Sequence, residues 1–484
     1  MNTGKVKKVN LFVLLACMVL TVALCPKKQL YFDEPFQIMC SHGVTLRNVQ
    51  QFTDMGTFTS ADLNKVNTFR TVFKLGGDSI HYVLLHYLNQ AFGNDLNVDV
   101  YFSVFWALLC LLAFYVLCRK VIGDNIYTSV ALILFFTDIM FLSQAYSIRH
   151  YIMGLFMTIM SGIYFFRYLF EEKSLKNLQW LSIWCALGII SHYFTIYVIL
   201  VYPVAILAKE KMKFFTWRNI TALAIPIVLL LVYFLFHQNP LQTTDRYQHY
   251  VESQHIKINN NIGFRPAASQ FLRSVAVNFQ VYYPLFKNKG AVLAGSALIV
   301  LLVYLAGIWK LVADKENRKR FSLLFVLGIF SCFFITAMAV ATRNNMLFSY
   351  RYFLFSMPFC VLFIALFIRQ LCTHERINLA VRIAVVTLLV APGFYKFMAT
   401  HRRQRDNGLE CNQLSAVREI KNKDIHKMQV PRAVDAVFIN SLLPVNYNMT
   451  YILNTASDSA ALYDQEEHVT EKFRFPDNGL VVMF

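Results

Sequence analysis

Apolar runs close to the roughly 20 residues needed to cross a bilayer recur along this chain, separated by short stretches that carry lysine and arginine. The pattern predicts membrane spans over Val9–Cys25, Val98–Cys118, Asn125–Leu142, Tyr151–Phe170, Leu178–Ile190 and Tyr193–Ala208. It continues with Ile220–Phe236, Ala291–Val312, Phe321–Val340, Tyr352–Ile368 and Leu379–Phe397, about eleven in all. Lys5, Lys7 and Lys8 precede the first span and fix its N-terminus on the cytoplasmic side. Counting onward, Arg119/Lys120, Lys173/Lys176, Lys209/Lys211/Lys213, Lys315 to Arg320 and Arg369/Arg376 then all fall inside, as the positive-inside rule requires. Cleavage of the first span as a signal peptide is disfavoured by the poor small-residue pattern around Ala23 and Cys25.

Two parts depart from this pattern. In the first outer loop, residues 26–97, the stretches PFQIMCSHGVTLRNVQQF and SIHYVLLHYLNQAFG mix apolar and polar positions at helical spacing and predict amphipathic helices lying on the outer leaflet. A second large outer loop covers 237–290. Polar residues return from about Thr400, where AVFINSLLP reads as a strand ending at Pro444 and PDNGLVVMF as a turn and strand. The expected organisation is an all-α polytopic membrane domain over 1–398 and a small extracytoplasmic α/β domain over 399–484. The sequence shows no internal repeat or low-complexity segment.

Composition agrees with the spans. The hydrophobic share is 57%, above the roughly 45–50% of soluble proteins, and mean hydropathy is +0.45. The net charge of +18 follows largely from cytoplasmic lysines and arginines facing anionic lipid, so nucleic acid is not indicated as a partner. Ten cysteines are scattered without a CxxC pair. Cys40 and Cys411 both fall outside and are weak grounds for a disulfide.

Candidate chemistry lies at the outer ends of spans. Asp33 and Glu34, in YFDEPFQ, place two carboxylates just beyond the first span, where reduced solvation raises basicity. An acidic pair there also suits a plain aqueous boundary. Arg149, in SQAYSIRHY, and Arg351, in SYRYFLFSMP, are outward arginines at span starts, with Arg343 shortly before the second. Singly, each fits an interfacial anchor; together they suit a lipid-linked phosphate, which guanidinium grips bidentately. His192, in SHYF, fits an interfacial histidine as readily as a binding one.

Taken in order, YFDEPFQ, SIHYVLLHYLNQAFG, SQAYSIRHY, SHYF and SYRYFLFSMP resemble the layout of the dolichyl-phosphate-mannose protein mannosyltransferase-like superfamily, the GT-C type glycosyltransferases that include bacterial aminoarabinose transferases. The resemblance covers about the first 370 residues. It implies a catalytic base in the first outer loop, with Asp33 matching best and Glu34 beside it. It implies donor-phosphate binding by Arg149, Arg351 and the adjoining Tyr350, and substrate contacts from His81, Tyr82, Tyr146, His150, His192 and Tyr193. The family's PPLYY-like stretch is SIHYV here, so His81 and Tyr82 align but the prolines are absent.

The resemblance implies transfer of a sugar from a polyprenyl-phosphate donor to a lipid, glycan or protein acceptor on the extracytoplasmic face; the length of the chain suits a bacterial inner membrane, with the endoplasmic reticulum as the alternative. No nucleotide is needed outside, and the sequence marks no certain cofactor. Asp33 and Glu34 could ligate a divalent metal through oxygen, but the sequence shows no completed ligand set. A transporter or flippase of lipid-linked glycans is the main alternative; it would carry ionisable residues within spans, near the midplane. A non-catalytic assembly factor is another, as is an O-antigen ligase or polymerase.

Overall fold

The computed structural model describes residues 3–25, 34–44, 46–74, 79–236, 264–279, 301–302, 304–309, 315–341, 350–373, 412–444, 446–455, 459–463 and 468–474, with 387, 395 and 398 as isolated helical positions. The chain runs α1 (Thr3–Ala23), α2 (Glu34–Ser41), α3 (Leu46–Met55), β1 (Thr57–Thr59), α4 (Ser60–Val66), α5 (Phe69–Lys74), α6 (Ser79–Phe92) and α7 (Leu96–Val121). Then come α8 (Ile126–Thr137), α9 (Ile139–Ala145), α10 (Tyr151–Phe166), α11 (Leu175–Ser191), α12 (Ile196–Ile199), α13 (Val201–Glu210) and α14 (Trp217–Phe236). After these follow α15 (Phe264–Asn278), α16 (Lys315–Ala341), α17 (Met357–Thr373), α18 (Asn412–Lys423), β2 (Lys427–Val430), α19 (Ala433–Ser441), β3 (Thr450–Leu453), β4 (Ser459–Tyr463) and β5 (Val469–Arg474).

Five described helical stretches are long and apolar enough to cross a membrane: Gly4–Ala23, Leu96–Val121, Tyr151–Glu171, Tyr193–Phe214 and Lys315–Ala341. The paired α8 and α9 make a sixth. The protein is therefore mostly helical and membrane-embedded. Large apolar side chains such as Phe12 and Val204 are exposed on these helices, as suits surfaces that meet lipid rather than water. The expected spans Ala291–Val312 and Leu379–Phe397 lie mostly outside the described residues.

The continuous span expected over Asn125–Leu142 is instead broken, bending by 59° between α8 and α9. Asp138 is the cause. Its carboxylate accepts hydrogen bonds from the backbone N–H of Met140 (2.7 Å) and Phe141 (3.4 Å), which starts a new helix where the old one would have continued. Deeper packing is held by polar as well as apolar contacts. Asn278, Ser331 and Ser356 bond one another across α15, α16 and the start of α17 at 2.9–3.2 Å, so these buried groups are paired within the protein.

The loop between α1 and α7 and the C-terminal tail form one unit. Five strands pair in the order β1-β3-β2-β4-β5, and β1 comes from the first loop, antiparallel to β3 with Phe58 opposite Tyr451. β2 and β3 are parallel, while β4 pairs antiparallel with β2 and β5 with β4. Around the sheet, Ser60 N–H donates to Met449 O and Asn94 Nδ2 to Leu443 O, both at 2.9 Å. The helices expected to lie on the outer leaflet, α2 and α3, instead pack against α19 of the tail. Ile38, Met39 and Phe52 are buried there; their apolar stripe is covered by protein.

AVFINSLLP is a correction. Residues Ala433–Ser441 are helical, not a strand. Val437, Phe438, Ile439, Leu442 and Leu443 are all buried, and a continuously apolar run does not distinguish a buried helix from a buried strand. PDNGLVVMF lies outside the described residues.

Candidate functional site: histidines and arginines around Tyr151

Helix ends, rather than one element, build the site. Tyr151 opens α10, preceded by Arg149 and His150 in the turn after α9. His192 follows the last residue of α11, Arg351 and Tyr352 lie in a 3-10 turn before α17, and His81 and Tyr82 sit in the first turn of α6. Ser103 Oγ on α7 donates to Ser147 O at 2.6 Å, pinning the turn that carries Arg149.

The guanidinium carbons of Arg149 and Arg351 lie 5.1 and 5.9 Å from the Tyr151 ring centroid, within cation–π range. The ring of His192 is 4.5 Å from both His150 and Tyr151. His81 lies 6.2 Å and Tyr82 6.5 Å from His150. All three histidines are buried. Burial pushes His81 down to about 3. Burial, then His192, His81, Arg149 and Arg351, holds His150 well below the usual histidine range; burial, then the same two arginines, does so for His192. Neutral imidazoles thus lie beside two fixed cations.

The structure brings together His81, Tyr82, Arg149, His150, His192 and Arg351 from the expected set. Tyr146 points elsewhere, donating its hydroxyl to Thr21 O at 2.9 Å. Tyr193 meets the rings of His192 and Phe194 in tilted contacts, with half its surface exposed. Asp33 lies outside the described residues; Glu34 opens α2 and Tyr350 opens the 3-10 turn, their side chains also outside that description.

Tyr151, Phe355 and Asp99 were not singled out from sequence. Tyr151 was visible as the residue closing SIRHY. The Phe355 ring lies 4.7 Å from that of His192, tilted against it; within an apolar run it carried no signal. Asp99 is buried in the first turn of α7, on the helix face shared with Phe102 and Ser103, and Phe102 lies 5.5 Å from His81. In the sequence it looked like the polar edge of a span.

Arginines and histidines converging on one aromatic ring present N–H donors and positive charge, an arrangement complementary to an oxyanion. Among the described residues no group of three or more His, Cys, Asp or Glu side chains could hold a metal ion. No family model matches the chain, and no curated protein matches it.

Proposed function

We propose that this protein is a GT-C type membrane glycosyltransferase with about eleven spans, moving a sugar from a polyprenyl-phosphate donor to a lipid, glycan or protein acceptor on the extracytoplasmic face of a bacterial inner membrane. The observation that supports it is the convergence of Arg149 and Arg351 on Tyr151 beside three histidines. In this reading the arginines receive the donor phosphate while its lipid tail stays in the bilayer. The acceptor oxygen or nitrogen bonds the anomeric carbon and gives its proton to the carboxylate of Asp33, assisted by Glu34. The bond from the anomeric carbon to the phosphate oxygen breaks, and its electron pair leaves with polyprenyl phosphate, whose charge the arginines offset.

The test is sugar transfer by purified protein in nanodiscs, with a panel of polyprenyl-phosphate sugars and an envelope extract as acceptor. Transfer that collapses in folded Asp33→Asn and Arg149→Ala supports the reading. Equal transfer by Asp33→Asn removes Asp33 as the base.

A second reading, a transporter or flippase of lipid-linked glycans, is favoured by Asp138, a buried carboxylate at a helix break, a feature found in transporters. Its role as a cap for α9 accounts for it without transport. Movement of lipid-linked sugar across a bilayer by protein that transfers none would establish the second reading.

A further inference from the structure

His192 is held in one orientation by its own backbone and by its neighbours. It caps the 3-10 turn Tyr193–Thr195 with extended backbone (φ −162°, ψ 117°), and its Nδ1 accepts the Phe194 N–H at 3.1 Å. Gly154 makes room for the ring: a Cβ at 154 would come within 3.0 Å of His192 Cβ and 2.9 Å of Phe355 Cε1. An imidazole whose Nδ1 accepts a hydrogen bond carries its single proton on Nε2 when neutral. Among the described residues that buried Nε2 has no hydrogen-bond partner, and the side chain as a whole is 1% exposed.

We infer that the Nε2–H of His192 is a third, uncharged donor to the same phosphate oxyanion that Arg149 and Arg351 receive. This rests on the phosphate part of the reading above and adds the atom, its tautomer and its charge. The groups facing His192 are Arg149, His150 and Tyr151 at the start of α10, Arg351 before α17, and its neighbour Tyr193. A neutral N–H adds a hydrogen bond to the anion without bringing a third positive charge among them. A second proton would have to enter at Nδ1, where the Phe194 N–H already points, and would break the cap. The ligand chemistry is a phosphate monoester or diester, lipid-linked or free.

The experiment compares farnesyl phosphate, inorganic phosphate and farnesol as ligands for the full-length protein in detergent, using wild type, His192→Asn, His192→Ser and Arg149→Ala. Asn and Ser are good helix-capping residues, so both variants keep the acceptor for Phe194 N–H while losing Nε2–H. Both should fold, with melting temperatures lowered only by the loss of a buried ring. Farnesyl phosphate should bind wild type more tightly than farnesol does, and its Kd should rise about tenfold or more in both His192 variants, the size expected for one hydrogen bond to a charged group. Farnesol binding should not change. Tighter binding of inorganic phosphate than of farnesyl phosphate would assign the site to a free anion, with the same loss in the His192 variants. Wild-type affinity in both folded His192 variants, with loss in Arg149→Ala, overturns the role of His192 and leaves the phosphate reading standing. If neither phosphate binds wild type better than farnesol does, both fall.

Discussion

Arg149 and Arg351, far apart in sequence, rest their guanidinium groups on the same ring, that of Tyr151, at 5.1 and 5.9 Å from its centroid. Two like charges brought to one aromatic ring share a support, so changing that support should affect both. A guanidinium on an aromatic ring gains about 0.5–1 kcal/mol at exposed sites. Tyr151→Leu is therefore expected to weaken farnesyl phosphate binding about tenfold, with Tyr151→Phe, which keeps the ring, losing less. Titration calorimetry on the two variants measures this.

Phe58 is buried, stacked 5.7 Å from Tyr451 and in tilted contact with Phe52 at 5.1 Å. Phe58→Ala should cost about 3–5 kcal/mol of stability in the extramembrane unit. Limited proteolysis should then cut the first outer loop and the tail together, because β1 and β3 share one ladder. Cleavage confined to the loop would show that the two segments are stable separately.

The turn between α2 and α3 depends on Gly43, whose φ is +74°. A Cβ there would run into Val66 O and into Thr71 Oγ1, on a backbone that L side chains already avoid. Gly43→Ala should cost about 2 kcal/mol or more, read as a lower melting temperature. Gly93→Ala is the control: its φ is also positive but a Cβ there meets nothing within 4 Å, so it should cost less.

At the start of α4, Thr59 and Asp62 form a capping box. Hydrogen bonds from Lys65, then from the Thr59 hydroxyl and backbone N–H, pull the Asp62 carboxyl down to about 2 from 3.8. A depressed carboxyl stabilises the fold above its unfolded value, and the contribution is lost as pH falls from about 4 through about 2. Thr59→Ala should cost about 1 kcal/mol near neutral pH. The difference from wild type should shrink in urea titrations at pH 3.

The membrane-embedded helical character was legible because bilayer thickness sets run length, whatever the partners. So was much of the cluster: Arg149, His150, His192 and Arg351 stand out as polar residues at the edges of apolar runs. What convergence adds is tertiary. Phe355 enters the site by packing, and no local pattern marks it. The break at Asp138 was written in FFTDIMF, but a lone acid among apolar residues reads equally as a tolerated interruption until its carboxylate is seen accepting from the Met140 and Phe141 amides. β1 was the least legible element. Three residues, Thr57–Thr59, have no periodicity to read, and their partner strand lies near the other end of the chain.

That partnership sets an order of assembly. Chains emerge from the ribosome N-terminus first at roughly 5–20 residues per second, so β1 waits on the order of tens of seconds for β3 to be made. Until then Phe58 and the parts of α2 and α3 that pack on α19 lack that cover, and transiently exposed apolar surface of this kind is aggregation-prone. A stop codon early in the tail would therefore do more than remove an appendage: it would leave the oldest loop of the protein permanently unfinished.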